Sequence, residues 1–104
     1  MTLTIVSRMG VMKPLQDAIR IVRGTNELAR RLHVSLSNPH MWLQRKHVPV
    51  VVRPGIEFVT NGRVRVEAFG KDARWIRVPD ASWPGGRGRP LLDLVHADSA
   101  LRGG

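Results

Sequence analysis

The chain has no cysteine, few acidic residues and no long apolar run, and each shortage removes a class of protein. Without cysteine there is no disulfide framework, no thiolate nucleophile and no cysteine-based zinc site, which fits a cytoplasmic setting. Nothing approaches the roughly 20 apolar residues of a membrane span. Met1 to Met12 also lacks the run of roughly 7–15 apolar residues that marks a secretory signal. A soluble protein without membrane contact is therefore expected. The 8 acidic residues are scattered singly, and no Ser or His has a recognisable base and orienting partner. No catalytic constellation forms, so neither an enzyme nor a cofactor is expected. No internal repeat is visible.

Against those 8 acids stand 17 Lys and Arg, a formal charge of +9 and a pI near 11.8. The excess is uneven: through Arg77 there are fourteen basic and five acidic residues, whereas from Val78 onward there are three of each. The first three quarters should meet a polyanion. Nucleic acid fits better than a membrane surface, because no segment pairs its cations with a broad aromatic-rich apolar face.

With 104 residues the chain suits one modest core plus tails. Residues 1–12 read as an N-terminal tail. There Thr2-Leu3-Thr4-Ile5-Val6 alternates like a short strand, and Met9 and Met12 are alternative starts for the folded part. Leu15, Ala18, Ile19 and Val22 then recur at helical spacing, with Pro14 tolerated in the first turn and Gly24 as the stop. Thr25 or Asn26 can cap a second helix running to about Leu32. On it Leu28, Ala29 and Leu32 form one apolar stripe, and Glu27, Arg30 and Arg31 face water. Ala29 is small enough to let a second helix cross closely, and Val34 fills the space beneath the following turn. This is the pattern of a helix-turn-helix, whose second helix enters the major groove of DNA.

The second helix of that motif contains a conflict. Ser35 is a natural N-cap, but it leaves Pro39 one turn inside; with Asn38 as the cap, Pro39 takes the first helical position and regular helix starts near His40. That choice shortens the end that meets base edges. In the turn, His33 stands where glycine is commonly needed for positive φ, a conformation that His tolerates better than most residues. Trp42, three residues after Pro39 and next to Leu43, reads as core rather than as a base-stacking ring. Thr25, Arg30, Arg31, Arg45 and Lys46 bracket the motif as phosphate contacts; Arg63 and Arg65 fit either phosphate contact or plain surface charge. His33, His40 and His47 recur every seven residues, but two helical turns span about 10 Å, too far for one metal ion, so no metal site is expected.

Further on, Val50-Val51-Val52 suggests a strand by propensity alone. Ile56 to Val59 before Thr60-Asn61-Gly62 fits either a helix stopped by Asn-Gly or a hairpin with a tight turn. Residues 73–104 read as an extended tail whose apolar runs, Trp75-Ile76-Arg77-Val78 and Leu91-Leu92-Asp93-Leu94-Val95, either form a hairpin or lie across a partner. Arg87-Gly88-Arg89-Pro90 has the core of an AT-hook. Real hooks carry further cations beyond the proline, and Leu91-Leu92-Asp93 follows here, so a Gly-rich turn is the better reading.

These residues, taken together from Leu15 to Trp75, resemble the small Cro-like, YdaS-type helix-turn-helix proteins of bacteria and prophages, regulators or antitoxin-like partners. The resemblance rests on Ala18-Ile19, Gly24, Leu28-Ala29-Arg30, Leu32, Val34-Ser35 and Trp42-Leu43. It is most specific over Val48-Pro49, Pro54, Ile56-Glu57 and Thr60-Asn61-Gly62, followed by Val64, Glu67, Asp72 and Trp75, and Trp83-Pro84-Gly85 resembles the family's extended tail. It implies an all-α domain of four to five short helices over residues 13–72, with residues 51–60 helical despite their valines. It also implies that Ser35, Leu36, Ser37, His40, Met41 and Gln44 point toward DNA. Leu36 and Met41 can touch only a thymine methyl, leaving Ser35, Ser37, Asn38, His40 and Gln44 to hydrogen-bond bases, with adenine the best match for Gln and Asn. The chain departs from the family at His33, for glycine, and at Pro39, for an aliphatic core residue. The expected function is sequence-specific binding of double-stranded DNA by a homodimeric repressor in the bacterial nucleoid. A protein-interaction or antitoxin-like module with reduced readout, using the C-terminal tail, is the alternative.

Overall fold

In the computed structural model, residues 12–93 are described. The expected tail over residues 1–11, with its short strand, and the run from Leu94 onward lie outside them. Four α-helices come first: α1 (Lys13–Val22), α2 (Thr25–Leu32), α3 (Asn38–Arg45) and α4 (Arg53–Val59). Two strands, β1 (Trp75–Val78) and β2 (Arg89–Leu92), close the chain as an antiparallel pair. The domain is thus mostly helical, as expected, and the two apolar runs of the C-terminal segment pair as a hairpin.

Each helix contributes a narrow apolar stripe to one core. Leu15, Ala18 and Val22 of α1 are buried at i, i+3 and i+7, and Leu28, Trp42, Val48, Ile56 and Val64 meet them, with Val34 half-buried beneath the turn. Ala29 is fully buried. Gly55 brings α4 so near α2 that an added Cβ would lie 2.9 Å from Leu32 Cδ2.

All four helices stop in the same way. A residue in the left-handed region follows the last turn: Arg23 (φ 72°), His33 (φ 60°), Lys46 (φ 55°) and Asn61 (φ 58°). The next amide then reaches back five residues, as Gly24 N to Ile19 O (2.9 Å), Val34 N to Ala29 O (3.0 Å), His47 N to Trp42 O (3.1 Å) and Gly62 N to Glu57 O (2.8 Å). These bonds occupy carbonyls that a helix end otherwise leaves unpaired. His33 therefore does adopt the positive φ for which glycine is the usual choice. The helix starts differ from expectation. Gly24, not Thr25 or Asn26, precedes the first residue of α2, and Ser37, not Ser35 or Asn38, precedes the first residue of α3; neither start has a side-chain cap. Val50–Val52 is a turn of 3-10 helix rather than a strand, leading into α4. Their β-branched preference yields because Pro54 sits in the first turn of α4 and Ile56 fills the core.

Two ion-pair clusters hold the rest of the chain to α4. Arg53, fully buried, donates from Nε to Val48 O and from both terminal nitrogens to Asp72, each bond 2.9 Å. The Arg53 guanidinium, helped by His47, pulls the Asp72 carboxyl down to about 2. Glu57, also fully buried, accepts from Arg77 Nη2 (2.8 Å), Trp83 Nε1 (2.8 Å) and Val66 N (2.9 Å). Burial alone would raise its pKa, but these donors outweigh it and hold Glu57 below the ordinary range. Arg77 also binds Glu67 (2.7 Å). Both glutamates, Glu57 foremost, push its own pKa up. Arg77 thus fastens β1, and Trp83 the long connection to β2, onto α4. Phe58 meets Trp83 edge-on at 5.1 Å.

Two consequences for stability are measurable. Gly62 has φ +80°, and a Cβ there would lie 2.6 Å from Gly85 Cα. Gly62→Ala should cost about 1–3 kcal/mol from backbone conformation alone, seen as a lower denaturation midpoint. The depressed pKa of Asp72 stabilises the fold fully above the ordinary carboxyl value of 3.8 and ceases to do so as pH falls toward 2. Thermal unfolding followed from pH 5 to about pH 2 should show that loss, and Asp72→Asn should be less stable at neutral pH and lose less over this interval.

Candidate nucleic-acid interface

The interface is built from α2, the turn over residues 33–37, and α3. In α3, Pro39 and Trp42 are buried and Leu43 half-buried, so these three define the inward face. One turn apart on the opposite face, His40 and Gln44 are exposed, and Ser37 precedes them at the helix start. Pro39 costs no intrahelical bond, because an amide at the second helical position has no partner in any case. The first such bond runs from Met41 N to Ser37 O at 3.0 Å. Pro39 is fully buried, so it takes over the packing that an aliphatic residue would give and leaves α3 eight residues long. It starts two residues earlier than the expected onset near His40.

The sequence-derived readers divide by exposure. Ser35, Leu36, Ser37, His40 and Gln44 are exposed, whereas Asn38 and Met41 are half-buried. The hydroxyls of Ser35 and Ser37 lie 3.2 Å apart, and Asn38 N donates to Ser35 O (2.9 Å), which fixes the turn. His40 Nε2 is 3.3 Å from Thr25 Oγ1, a contact that ties the start of α2 to the exposed face of α3. Thr25 and His40, expected in different roles, are therefore neighbours.

The candidate phosphate contacts fall into two groups. Arg30 and Arg31 are exposed but hydrogen-bonded to Glu27 at 3.4 and 2.9 Å. Arg31 first, with Arg30, draws the Glu27 pKa down. Arg45 and Lys46 are exposed and have no carboxylate partner among the described residues. No acidic residue occurs between Glu27 and Glu57, and Asp17, Glu57, Glu67, Asp72 and Asp80 each pair with a cation elsewhere. Among the described residues, Arg45 and Lys46 therefore leave unpaired positive charge at the end of α3.

Other motifs are used structurally. Arg87 donates to Gly62 O (3.2 Å), Arg89 lies 3.5 Å from Asp80, and Gly88 and Pro90 are buried. A Cβ on Gly88 would collide with Val78 O. The Arg-Gly-Arg-Pro run is therefore the entry to β2, not a free minor-groove strip. Among the described residues no three His, Asp or Glu side chains gather as a metal site, and no helix is long and apolar enough to cross a membrane. Sequence reasoning passed over Arg53, whose only local signal was a basic residue in an otherwise apolar segment. Glu57, Glu67 and Asp72 were visible only as positions of family resemblance.

The family model described as bacterial toxin YdaS matches residues 15–78, well over half of the chain, and the chain belongs to that family. No curated protein and no solved structure matches it.

Proposed function

We propose that this YdaS-family chain binds duplex DNA sequence-specifically, presenting α3 to the major groove as a Cro-like repressor. One observation carries the reading. Ser37, His40 and Gln44 share the exposed face of α3, while Pro39 and Trp42 lock its other face into the core and the unpaired Arg45 and Lys46 follow. A rigid helix with hydrogen-bonding side chains outward, followed by cations that no described carboxylate pairs, has the chemistry of base readout. Gln44 would pair with adenine, Ser35, Ser37, Asn38 and His40 would add polar contacts, and Leu36 and Met41 would meet thymine methyls. Thr25, Arg30, Arg31, Arg45 and Lys46 would bind phosphates. For Arg30 and Arg31 this exchanges a solvent-exposed ion pair with Glu27, worth little in water, for a phosphate contact. The reading invokes no cofactor and no catalytic step, and it places the protein with bacterial DNA in the cytoplasm.

A single short helix reads few base pairs, so two copies about 34–36 Å apart on a two-half-site operator complete the proposal. Ile76 and Leu91 suit that contact. They are cross-strand neighbours on the hairpin, 49% and 37% exposed, on the face turned away from Glu57. The same face favours the second reading, a toxin- or antitoxin-like module that engages another protein through its C-terminal segment, and the description of the family as a bacterial toxin is in keeping with it.

A mobility-shift titration against the DNA upstream of its own gene, repeated across salt, separates the two. Repression predicts a preference of 10³ or more over random duplex, and a ratio within about tenfold sinks it. Gln44→Ala should relax sequence preference, whereas Arg31→Ala should weaken all duplexes alike and lower the salt slope by about 1. Equal losses in both would refute the assigned roles.

A further inference from the structure

Positive charge does not end with α3. Asp72 binds Arg53 through both oxygens, and its Oδ2 also lies 3.5 Å from His47 Nε2, one residue beyond Lys46. Lys71 and Arg74 flank Asp72 in sequence, so this clamp holds their segment beside His47. Both are exposed and have no carboxylate partner among the described residues. They line a cleft of about 460 Å³ together with Glu67 and Trp75. Glu67 is the acid of that lining, and both its oxygens accept from Arg77, at 2.7 and 3.2 Å. The Trp75 indole N–H is shielded from solvent and has no acceptor. The cleft is thus lined by two cations without a carboxylate partner and by a tryptophan whose buried N–H lacks an acceptor.

Such a wall suits an oxyanion, because its two cations lack a carboxylate partner and both oxygens of its lining carboxylate, Glu67, accept from Arg77. We propose that the Lys71–Arg74–Trp75 cleft is a phosphate subsite that takes the sugar-phosphate backbone of the duplex read by α3, extending the footprint beyond the helix-turn-helix. The inference rests on the DNA-binding reading and adds a location that the motif does not contain. Arg53 and Asp72 act in it as positioning residues: they hold the Gly70–Arg74 segment at the end of α3 without touching the ligand. Lys71 and Arg74 supply charge, and the indole N–H gains its missing acceptor when a phosphate oxygen settles in the cleft and the ring turns toward it.

The test uses the full chain and duplex DNA titrated across salt. The double variant Lys71→Ala/Arg74→Ala should bind at least about tenfold more weakly at ~0.1 M salt, with a slope of log K against log salt shallower by about 1.8, the value for two lost phosphate contacts. Its ratio of specific to random binding should stay unchanged, since neither side chain meets a base. In the ¹H–¹⁵N spectrum, the Trp75 indole peak, assigned through Trp75→Phe, should move on adding duplex to the parent chain and stay in place in the double variant. Unchanged slope and affinity in that variant, alongside a loss in Arg31→Ala, would remove the subsite and leave the DNA reading standing. A parent chain that ignores duplex altogether removes both. An indole shift produced equally by inorganic phosphate would assign the cleft to a free oxyanion and overturn its assignment to the backbone.

Discussion

The buried carboxylate of Glu57 is the constraint around which the second half of the chain is arranged. An ionised group sealed from water is tolerable only when its oxygens are fully occupied, and here three separate segments supply the donors. Val66 belongs to the turn after α4, Arg77 to β1 and Trp83 to the connection between the strands. These donors lie 9, 20 and 26 residues from Glu57 in sequence, so its burial and their positions are established together. The hairpin is consequently part of the domain's support: it locks α4, and α4 presses on α2 through Gly55 and Leu32. The frame that orients α3 extends in this way to residue 92.

The helices themselves are too short to persist alone. At seven to ten residues each, they fall below the length at which an isolated helix is stable in water. Tertiary packing supplies the difference through Leu15, Leu28, Trp42 and Ile56, all of which converge on one core. Trp42 matters in both directions: it anchors α3 and thereby sets which residues of α3 are left outside. An exposed row of His40 and Gln44 follows from a buried pair of Pro39 and Trp42, because the helical period leaves no other option.

What could be read from the sequence tracks the range of the forces involved. The α1 stripe, the αL geometry at His33 and the core role of Trp42 depend on neighbours within one or two turns, and all were legible, whereas Ile56 to Gly62 fitted a helix or a hairpin equally. The family resemblance supplied the helicity of residues 51–60, where valine propensity pointed the other way. Helix starts were misjudged because no side chain caps them, so the usual Ser, Thr or Asn signal carried no information. Arg53 and Glu57 were illegible as buried residues, since their partners Asp72 and Arg77 lie 19 and 20 positions away and composition favours leaving charges in water. At the interface, the resemblance placed Ser37, His40 and Gln44 outward, and they are exposed, but Met41 is half-buried. Sequence alone could not show that Arg30 and Arg31 are already tied to Glu27, or that Thr25 and His40 touch.

The left-handed residues that end the first three helices carry a different implication. Arg23, His33 and Lys46 hold a conformation that costs a side-chain-bearing residue about 1 kcal/mol or more and costs glycine almost nothing. This chain nevertheless keeps two cations and an imidazole there, each beside the partially negative end of a helix. At Arg23 and Lys46 a backbone cost is therefore set against the attraction of a cation to a helix end. Glycine at either site would relieve the first and forfeit the second, so surface charge and backbone strain are tied to each other at these helix ends.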